Sequence, residues 1–476
     1  MNSSNADYNT NHKLFVEYPI RSLKFILKKL KIRELFTTYI KDPRSRIDDY
    51  HLTTLLMHGL LTHLFRSPSK NKFHQNLIRP SASNSVAKFN GIEKGNSPCV
   101  RTLDDVLLNL DPDNFLPILP SIFRNLCRQK VFQLHPEFIP QGEYAITIDA
   151  HATHTYHDHS QHPCKNCPFC LKRTRGDKVW YIHFDLVASF IAPNGLQIPL
   201  LFHRIRARPE WGQLNDDEWK QECERTAFPL LVRELRRQFP RLNMCIHLDA
   251  LYATDQTFTL LEELHMGYSI VKKVKVLKTV GEDCQGLKTF SHPLKVVKEN
   301  ARFKIQQTIH FFNDVAYKGH NLHIIQLEEN AEKKLTKRFA KIQSKKTHWE
   351  WIVHQNLTSK NTYETATGSR IRWKQEDLFN DVQCRGFAIR HDFNRAPVAQ
   401  SIRIYLIFIA YAICSILTYS TLGQSILAKG YTVTFMMEQM LNDLIYISDT
   451  ILFQWDDPSQ LRFGKDPPKI KVQIQQ

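Results

Sequence analysis

Three carboxylates in this chain have the types and surroundings to do chemistry. Asp149 closes the run Ala145-Ile146-Thr147-Ile148-Asp149-Ala150, and Asp249 closes a second run of the same design, Cys245-Ile246-His247-Leu248-Asp249-Ala250. Each run reads as a short buried strand that ends by presenting one acid. The third acid, Glu376, lies in Arg370 to Arg385 (RIRWKQEDLFNDVQCR), where Ile371, Leu378 and Val382 share one helical stripe and Arg372, Glu376 and Gln383 share another flank. An acid at a strand end is common and says little alone. Three acids drawn from distant parts of a strongly basic chain are the donor set that metal-assisted phosphoryl chemistry needs. Such chemistry requires a charged nucleophile and a stabilised leaving oxygen in line across phosphorus, which two divalent cations can serve. Hard cations such as Mg²⁺ or Mn²⁺ prefer carboxylate oxygen.

A second chemical feature follows Asp149 directly. The segment Asp149 to Arg173 (DAHATHTYHDHSQHPCKNCPFCLKR) is dense in His and Cys, and Cys164, Cys167 and Cys170 form two overlapping C-x2-C pairs. This spacing suits soft tetrahedral ligation, and a structural Zn²⁺ is expected on Cys164, Cys167, Cys170 and a fourth ligand. His162 is the candidate carried forward, with His159, His157, His154 and Cys284 as alternatives that the sequence leaves open. A redox-active thiol cluster, free thiols in a loop and a catalytic zinc are the competing readings.

The elements around these residues can be read from periodicity. Trp180, Ile182, Phe184, Leu186, Ala188 and Phe190 alternate with more polar neighbours, Pro193-Asn194-Gly195 signals a tight turn, and Leu196, Ile198, Leu200 and Phe202 alternate on the return. A helix over Glu224 to Phe239 leads to the Asp249 strand, a helix capped by Thr254 or Asp255 follows, and Tyr268, Ile270, Lys272 and Val274 read as one more strand. The order strand, hairpin, helix, strand, helix, strand matches a ribonuclease H-like core of mixed sheet and flanking helices, an α/β fold. Residues 275–358 carry strand patterns at Phe303 to Phe311, His320 to Leu327 and Trp349 to Asn356, a β-rich insertion before the helix of Glu376. Upstream, Leu23 to Lys130 is largely helical, with Asp48-Asp49 and Asp104-Asp105 as expected helix starts; Arg66 to Gly91, rich in Ser and Asn, reads as a basic loop, either DNA-contacting or a plain linker. The expected division is a flexible N-terminus (1–20), a helical DNA-binding and assembly domain (21–140), a catalytic domain (141–274 and 359–455) with the His/Cys insertion (151–173) and the β-rich insertion (275–358), and an irregular tail (456–476).

Composition narrows the partners. Lys and Arg exceed Asp and Glu by 64 − 47 = 17, an excess that favours a polyanion, nucleic acid before membrane. The polar stretch Met1 to His12 lacks the apolar run of an export signal, so a cytoplasmic, nucleoid-associated protein with reduced cysteines is expected. Ile402 to Leu422 is long enough to span a bilayer, but it carries Arg403 and several hydroxyl side chains and reads as a buried helix of a large core. Arg204, Arg206 and Arg208 form a basic cluster after the hairpin, suited to phosphate contacts.

Together, Asp149 in ITIDAH, Asp249 in HLDALYA and Arg372-Trp373-x-x-Glu376 in IRWKQEDLF resemble the DDE transposases of insertion sequences, in particular the group with a Tyr-x2-Arg-x3-Glu-x6-Lys signature and a β-strand insertion before it. The intervals, 249 − 149 = 100 and 376 − 249 = 127, leave room for that insertion, and Asn356-Leu357 adds to the likeness, which covers Ala145 to Leu422. The resemblance implies two Mg²⁺ or Mn²⁺ ions, with Asp149 bridging them and Asp249 and Glu376 each holding one. It implies cleavage at the terminal inverted repeats of double-stranded DNA, strand transfer into target DNA and a homo-oligomer on paired ends. It also implies DNA contacts from Arg372 and from Tyr252, an aromatic that could stack on a displaced base or equally pack the following helix. Two positions depart: Ser369 stands at the signature's Tyr and Gln383 at its Lys, with Arg385 or Lys374 as substitute cations. A ribonuclease H-like nuclease that does not rejoin strands, a domesticated copy that only binds DNA and a zinc-dependent hydrolase are the alternatives.

Overall fold

The computed structural model describes residues 18–45, 50–92, 95–157, 167–175, 178–208, 214–299, 303–333, 343–391, 394, 396–446, 461, 463 and 471–475. Its organising element is one mixed sheet of eleven strands. They are β1 (Tyr144–His157), β2 (Cys170–Arg175), β3 (Lys178–Ile191), β4 (Gln197–Arg204), β5 (Met244–Leu248), β6 (Gly267–Val271), β7 (Leu294–Glu299), β8 (Phe303–Tyr317), β9 (His320–Lys333), β10 (Gln343–Val353) and β11 (Lys471–Gln475). The order is β11-β7-β8-β9-β10-β6-β5-β1-β3-β2, with β4 beside β2 on the far edge of β3. Among the described residues, only the pairs β1–β5 and β5–β6 are parallel. Their side chains Ile146, Ile148, Ile246, Leu248 and Ile270 are buried, as central strands covered on both faces require.

The hairpin expected at Pro193-Asn194-Gly195 joins β3 to β4. Asn194 Oδ1 accepts from the Leu196 amide at 3.0 Å, and Gly195 sits at φ +102°, a conformation that favours glycine. The strands of the β-rich insertion form as expected, but they extend the sheet instead of building a separate layer. β10 pairs with β6, and Lys272 Nζ reaches Glu350 Oε2 at 2.8 Å across that seam. A second small core, with Val296, Ile309, Ile325, Leu327 and Trp351, lies under these strands.

Several expectations are corrected. Arg66 to Gly91 is not a loop: Lys70–Asn76 and Pro80–Phe89 are helices, with Ser69 capping the first, Pro80 opening the second, and Phe73, Ala82 and Val86 buried. The helix Leu52–Leu64 starts from His51, and Asp48 and Asp49 lie outside the described residues. Asp104 and Asp105 fall inside the helix Val100–Leu107, not at its start. The tail supplies β11, which pairs with β7. The N-terminal helices do not keep a core of their own; they share one with the sheet and with the helix Pro397–Tyr419.

That last helix is the stretch with the composition of a membrane span, and 94% of its most apolar window is buried inside the protein. It packs against Leu52–Leu64 and β4. Arg403 on it is matched by Asp104, Nη2 to Oδ1 at 3.1 Å, and Asp104 also pairs with Lys70. Burial, then the Arg403 charge, pushes His58 down to about 4, so this imidazole is neutral in the apolar layer.

The basic cluster after β4 is likewise divided by the fold. Arg206 and Arg208 are exposed, but Arg204 is buried, so its expected role in phosphate contact is corrected. Its Nε donates to Asp185 Oδ1 at 3.0 Å and its Nη1 to Ser401 Oγ at 3.1 Å, while Thr153 Oγ1 donates to Asp185 Oδ2 at 2.6 Å. Burial would raise the Asp185 carboxyl, but Arg204 and Thr153 outweigh it and hold it below the usual range. Arg204→Leu therefore leaves a buried, unpaired carboxylate and should cost about 3–5 kcal/mol in urea unfolding. Arg206→Ala and Arg208→Ala should each shift the same curve by less than about 0.5 kcal/mol.

Candidate active site

The register of β1 on β5 brings the two aspartates together. Tyr144 pairs with Met244 and Thr147 with His247, an offset of 100 residues, and 100 is also the interval from Asp149 to Asp249. Continuing the register by two residues sets the acids side by side, where β5 has ended at Leu248. Asp249 turns into a 3-10 turn and caps it, its Oδ1 accepting from the Leu251 amide at 2.9 Å. Asp149 is not at a strand end, as the sequence suggested, but in the middle of β1, which runs on to His157 paired with β3.

The continuation has a purpose visible in the side-chain contacts. Thr147, Asp149 and His151 lie on one face of β1, as the period of two demands, and each contacts the segment that carries Glu376. Thr147 Oγ1 donates to Gln375 Oε1 at 2.6 Å. Asp149 Oδ2 accepts from Arg372 Nη1 at 3.1 Å. His151 bonds with Gln383 and stacks on Phe379 with ring centroids 4.5 Å apart. That segment is a 3-10 turn, Arg370–Trp373, running into the helix Lys374–Cys384. Its start is held from the other side by Gln197, whose Nε2 donates to Lys374 O at 2.8 Å and whose Oε1 accepts from Tyr411 at 2.6 Å.

Arg372 joins the acids. Its Nη2 donates to Glu376 Oε1 at 2.8 Å while Nη1 holds Asp149, and its guanidinium lies 4.6 Å from the Trp373 ring. Only 9% of the Arg372 side chain reaches solvent, against 23% for Asp149 and 47% for Glu376, so the site is open on the Glu376 side. Trp373 is 41% exposed. Burial pushes the Asp149 carboxyl up to about 6; Arg372 opposes this, while Asp249 and then Glu376 add to it. Carboxylates gathered against their own repulsion, with oxygen as the donor atom, fit divalent Mg²⁺ or Mn²⁺.

A fourth acid stands beside them that the sequence reading passed over. Glu224, on the helix Asp216–Gln238, is raised to about 8 by burial first, then by Asp149 and Asp249. Tyr252 donates to its Oε2 at 3.2 Å. The available signal was local: Cys223, Ala227 and Phe228 form the buried stripe of this helix, and Glu224 sits next to it. The same contact revises Tyr252, which is 2% exposed and packed on Phe228 at 4.6 Å. It offers no open ring face to a base.

The two departures from the signature are engaged inside the fold: Gln383 meets His151, and Ser369, 2% exposed, accepts from Ser269 Oγ at 2.8 Å. Arg385 is exposed and pairs with Asp381 at 2.8 Å; with Lys374 and Arg66 it lines a cleft of about 540 Å³ on another flank of the same helix. His162 and Cys164 lie outside the described residues, and Cys284 is buried on the helix Lys278–Lys288. Cys167 and Cys170 are met by His183, which the sequence reading had placed only as a residue of β3. No protein-family model matches the chain, and no curated protein matches it.

The raised carboxyls make the metal-free site pH-sensitive. A carboxyl whose folded pKa lies above its ordinary value stabilises the fold below that ordinary value and loses the contribution as pH rises through the folded one. For Glu224 the window runs from 4.5 to about 8. In EDTA, Glu224→Gln should therefore melt a few degrees above wild type at about pH 9 and show no such advantage at about pH 5. Differential scanning calorimetry across that range checks both ends.

Proposed function

We propose that this chain is a DDE transposase of an insertion sequence, cutting and joining double-stranded DNA with Asp149, Asp249 and Glu376 as its divalent-metal ligands. The observation that carries the reading is the agreement between the β1–β5 offset and the interval separating the two aspartates, with Arg372 tying the third acid to the first. The local order β4-β3-β1-β5-β6, antiparallel up to β1 and parallel from β1 to β6, supports a ribonuclease H-like core. The strands β7 to β10, placed between β6 and the helix of Glu376, support the insertion that the signature group carries. The charge of +17 supports a nucleic-acid partner.

In this reading, two Mg²⁺ or Mn²⁺ ions, when bound, activate the attacking oxygen and stabilise the leaving one. The chain supplies the rest. Asp149, on the central strand, Asp249 and Glu376 would hold the ions through their carboxylate oxygens. Arg372 orients Asp149 and Glu376. Glu224, protonated at neutral pH, keeps a further negative charge out of the site and holds its place through Tyr252. The exposed Arg206, Arg208 and Arg385 are candidate contacts for DNA phosphates. Assembly as a homo-oligomer on paired inverted repeats and a place with the nucleoid in the cytoplasm belong to the same proposal.

Ser369 and Gln383 favour one second reading, a domesticated copy that binds DNA without cutting it. A single set of assays decides. With duplexes carrying the element ends and Mg²⁺, wild type should nick and then join pre-cleaved ends to target DNA. Asp149→Asn and Glu376→Gln should lose cleavage while binding the duplex as wild type does. Cleavage surviving in both variants sinks the assignment; binding without cleavage in wild type selects the second reading; cleavage without joining selects a nuclease.

A further inference from the structure

Away from the acids, two thiols and an imidazole converge on one point. Cys167 and Cys170 flank a tight turn, with the Cys170 amide bonded to Cys167 O at 3.1 Å, and the turn leads into β2. His183 faces them from β3, where it is the ladder partner of Cys170. Its Nε2 lies 3.0 Å from Cys170 Sγ and 3.4 Å from Cys167 Sγ, and all three ligand atoms are within 4.8 Å of one another. We propose that Cys167, Cys170 and His183 bind a structural Zn²⁺.

One of the two S···N distances matches the edge of a zinc tetrahedron and the other is shorter. Zn–S bonds of about 2.3 Å and a Zn–N bond of about 2.0 Å give S···N edges near 3.5 Å at tetrahedral angles. One observed edge is within about 0.1 Å of this and the other is half an ångström short, so binding needs only a small outward move of Cys170. The chemistry agrees, since thiolate and imidazole form the donor set that zinc prefers. The surroundings favour a closed site: Cys167, Cys170 and His183 are all buried, and Tyr156, Phe169, Val179 and Tyr181 pack around the thiols.

The role is structural because the site is remote. His183 is level with His154 on β1, five residues beyond Asp149, or about 17 Å along the strand. A zinc there staples β2 to β3 at the end of the sheet where Thr153 and Asp185 hold β1. It cannot act on a phosphate held by Asp149, and among the described residues no carboxylate joins this ligand group.

The full chain, made without a histidine tag in zinc-replete medium, should carry about one zinc per molecule by mass spectrometry of the metal. Cobalt substitution should give thiolate-to-metal charge-transfer absorption, and X-ray absorption at the zinc edge should place two or more sulfurs and an imidazole around the ion. Cys167→Ser with Cys170→Ser, and separately His183→Gln, should release the metal, whereas Asp149→Asn should keep it. Metal-free wild type, or full zinc retained in all the thiol and imidazole variants, overturns the proposal and leaves ordinary thiol–imidazole hydrogen bonds. If a variant does not fold, the sulfur and nitrogen count on wild type decides alone. None of these readouts depends on DNA cleavage.

Discussion

The parallel pairing of β1 with β5 is the constraint on which the candidate site depends. A central parallel strand must bury both faces, and the β-branched and aliphatic side chains of both runs leave one register that does so. Slipping β1 by one residue would turn Thr147, Asp149 and His151 away from the helix Lys374–Cys384 and expose them to the layer that now receives Ile146 and Ile148. The register thus fixes both which aspartates are neighbours and which face meets the third acid. An acid in mid-strand is the consequence: β1 must continue past Asp149 so that His151 can seat Phe379 and Gln383.

A polar scaffold inside an apolar interior finishes the positioning. Tyr411, on a helix with the hydropathy of a membrane span, donates to Gln197; Gln197 donates to the backbone of Lys374; Thr147 donates to Gln375. Apolar packing alone would allow the Glu376 helix to slide, since it is tolerant of small shifts. Buried hydrogen bonds are not, because each one broken strands a polar group at about 1–3 kcal/mol. The long apolar helix is therefore part of the site's support, and its Arg403, matched by Asp104, is tied into the N-terminal helices in the same way.

How much of this was legible in the sequence depended on the range of the interaction. Alternation along β3, β4, β8 and β9 is local and was read correctly, as was the strand that leads to Asp249, whereas the strand of Asp149 runs on past the end that its sequence suggested. Partners set by the tertiary fold were not readable: Arg204 looks like a free loop cation until β3 supplies Asp185, and Tyr252 looks like an available ring until Phe228 covers it and Glu224 takes its hydroxyl. β11 escaped because a short polar edge strand is defined by its neighbour β7, not by its own pattern. The helices Lys70–Asn76 and Pro80–Phe89 were a different failure, since Ser69 and Pro80 are start signals that the Ser- and Asn-rich composition outweighed in the reading. His183 was hidden in plain alternation, as one residue of a strand pattern.

The charge at the site gives the strongest physical reason to expect a cation there. Asp149, Asp249 and Glu376 place three carboxyl groups around the single guanidinium of Arg372 in a partly buried space. Burial is the main cause that raises Asp149 to about 6, and the neighbouring Asp249 and Glu376 add to it. A fold that needed these acids only for structure would gain by replacing any of them with an amide, because each would keep its hydrogen bonds without the repulsion. Asp249 could cap its turn as Asn, and Glu376 makes no other bond among the described residues than the one to Arg372. The arrangement is costly for the free protein, and divalent cations meeting the carboxylates would offset that cost.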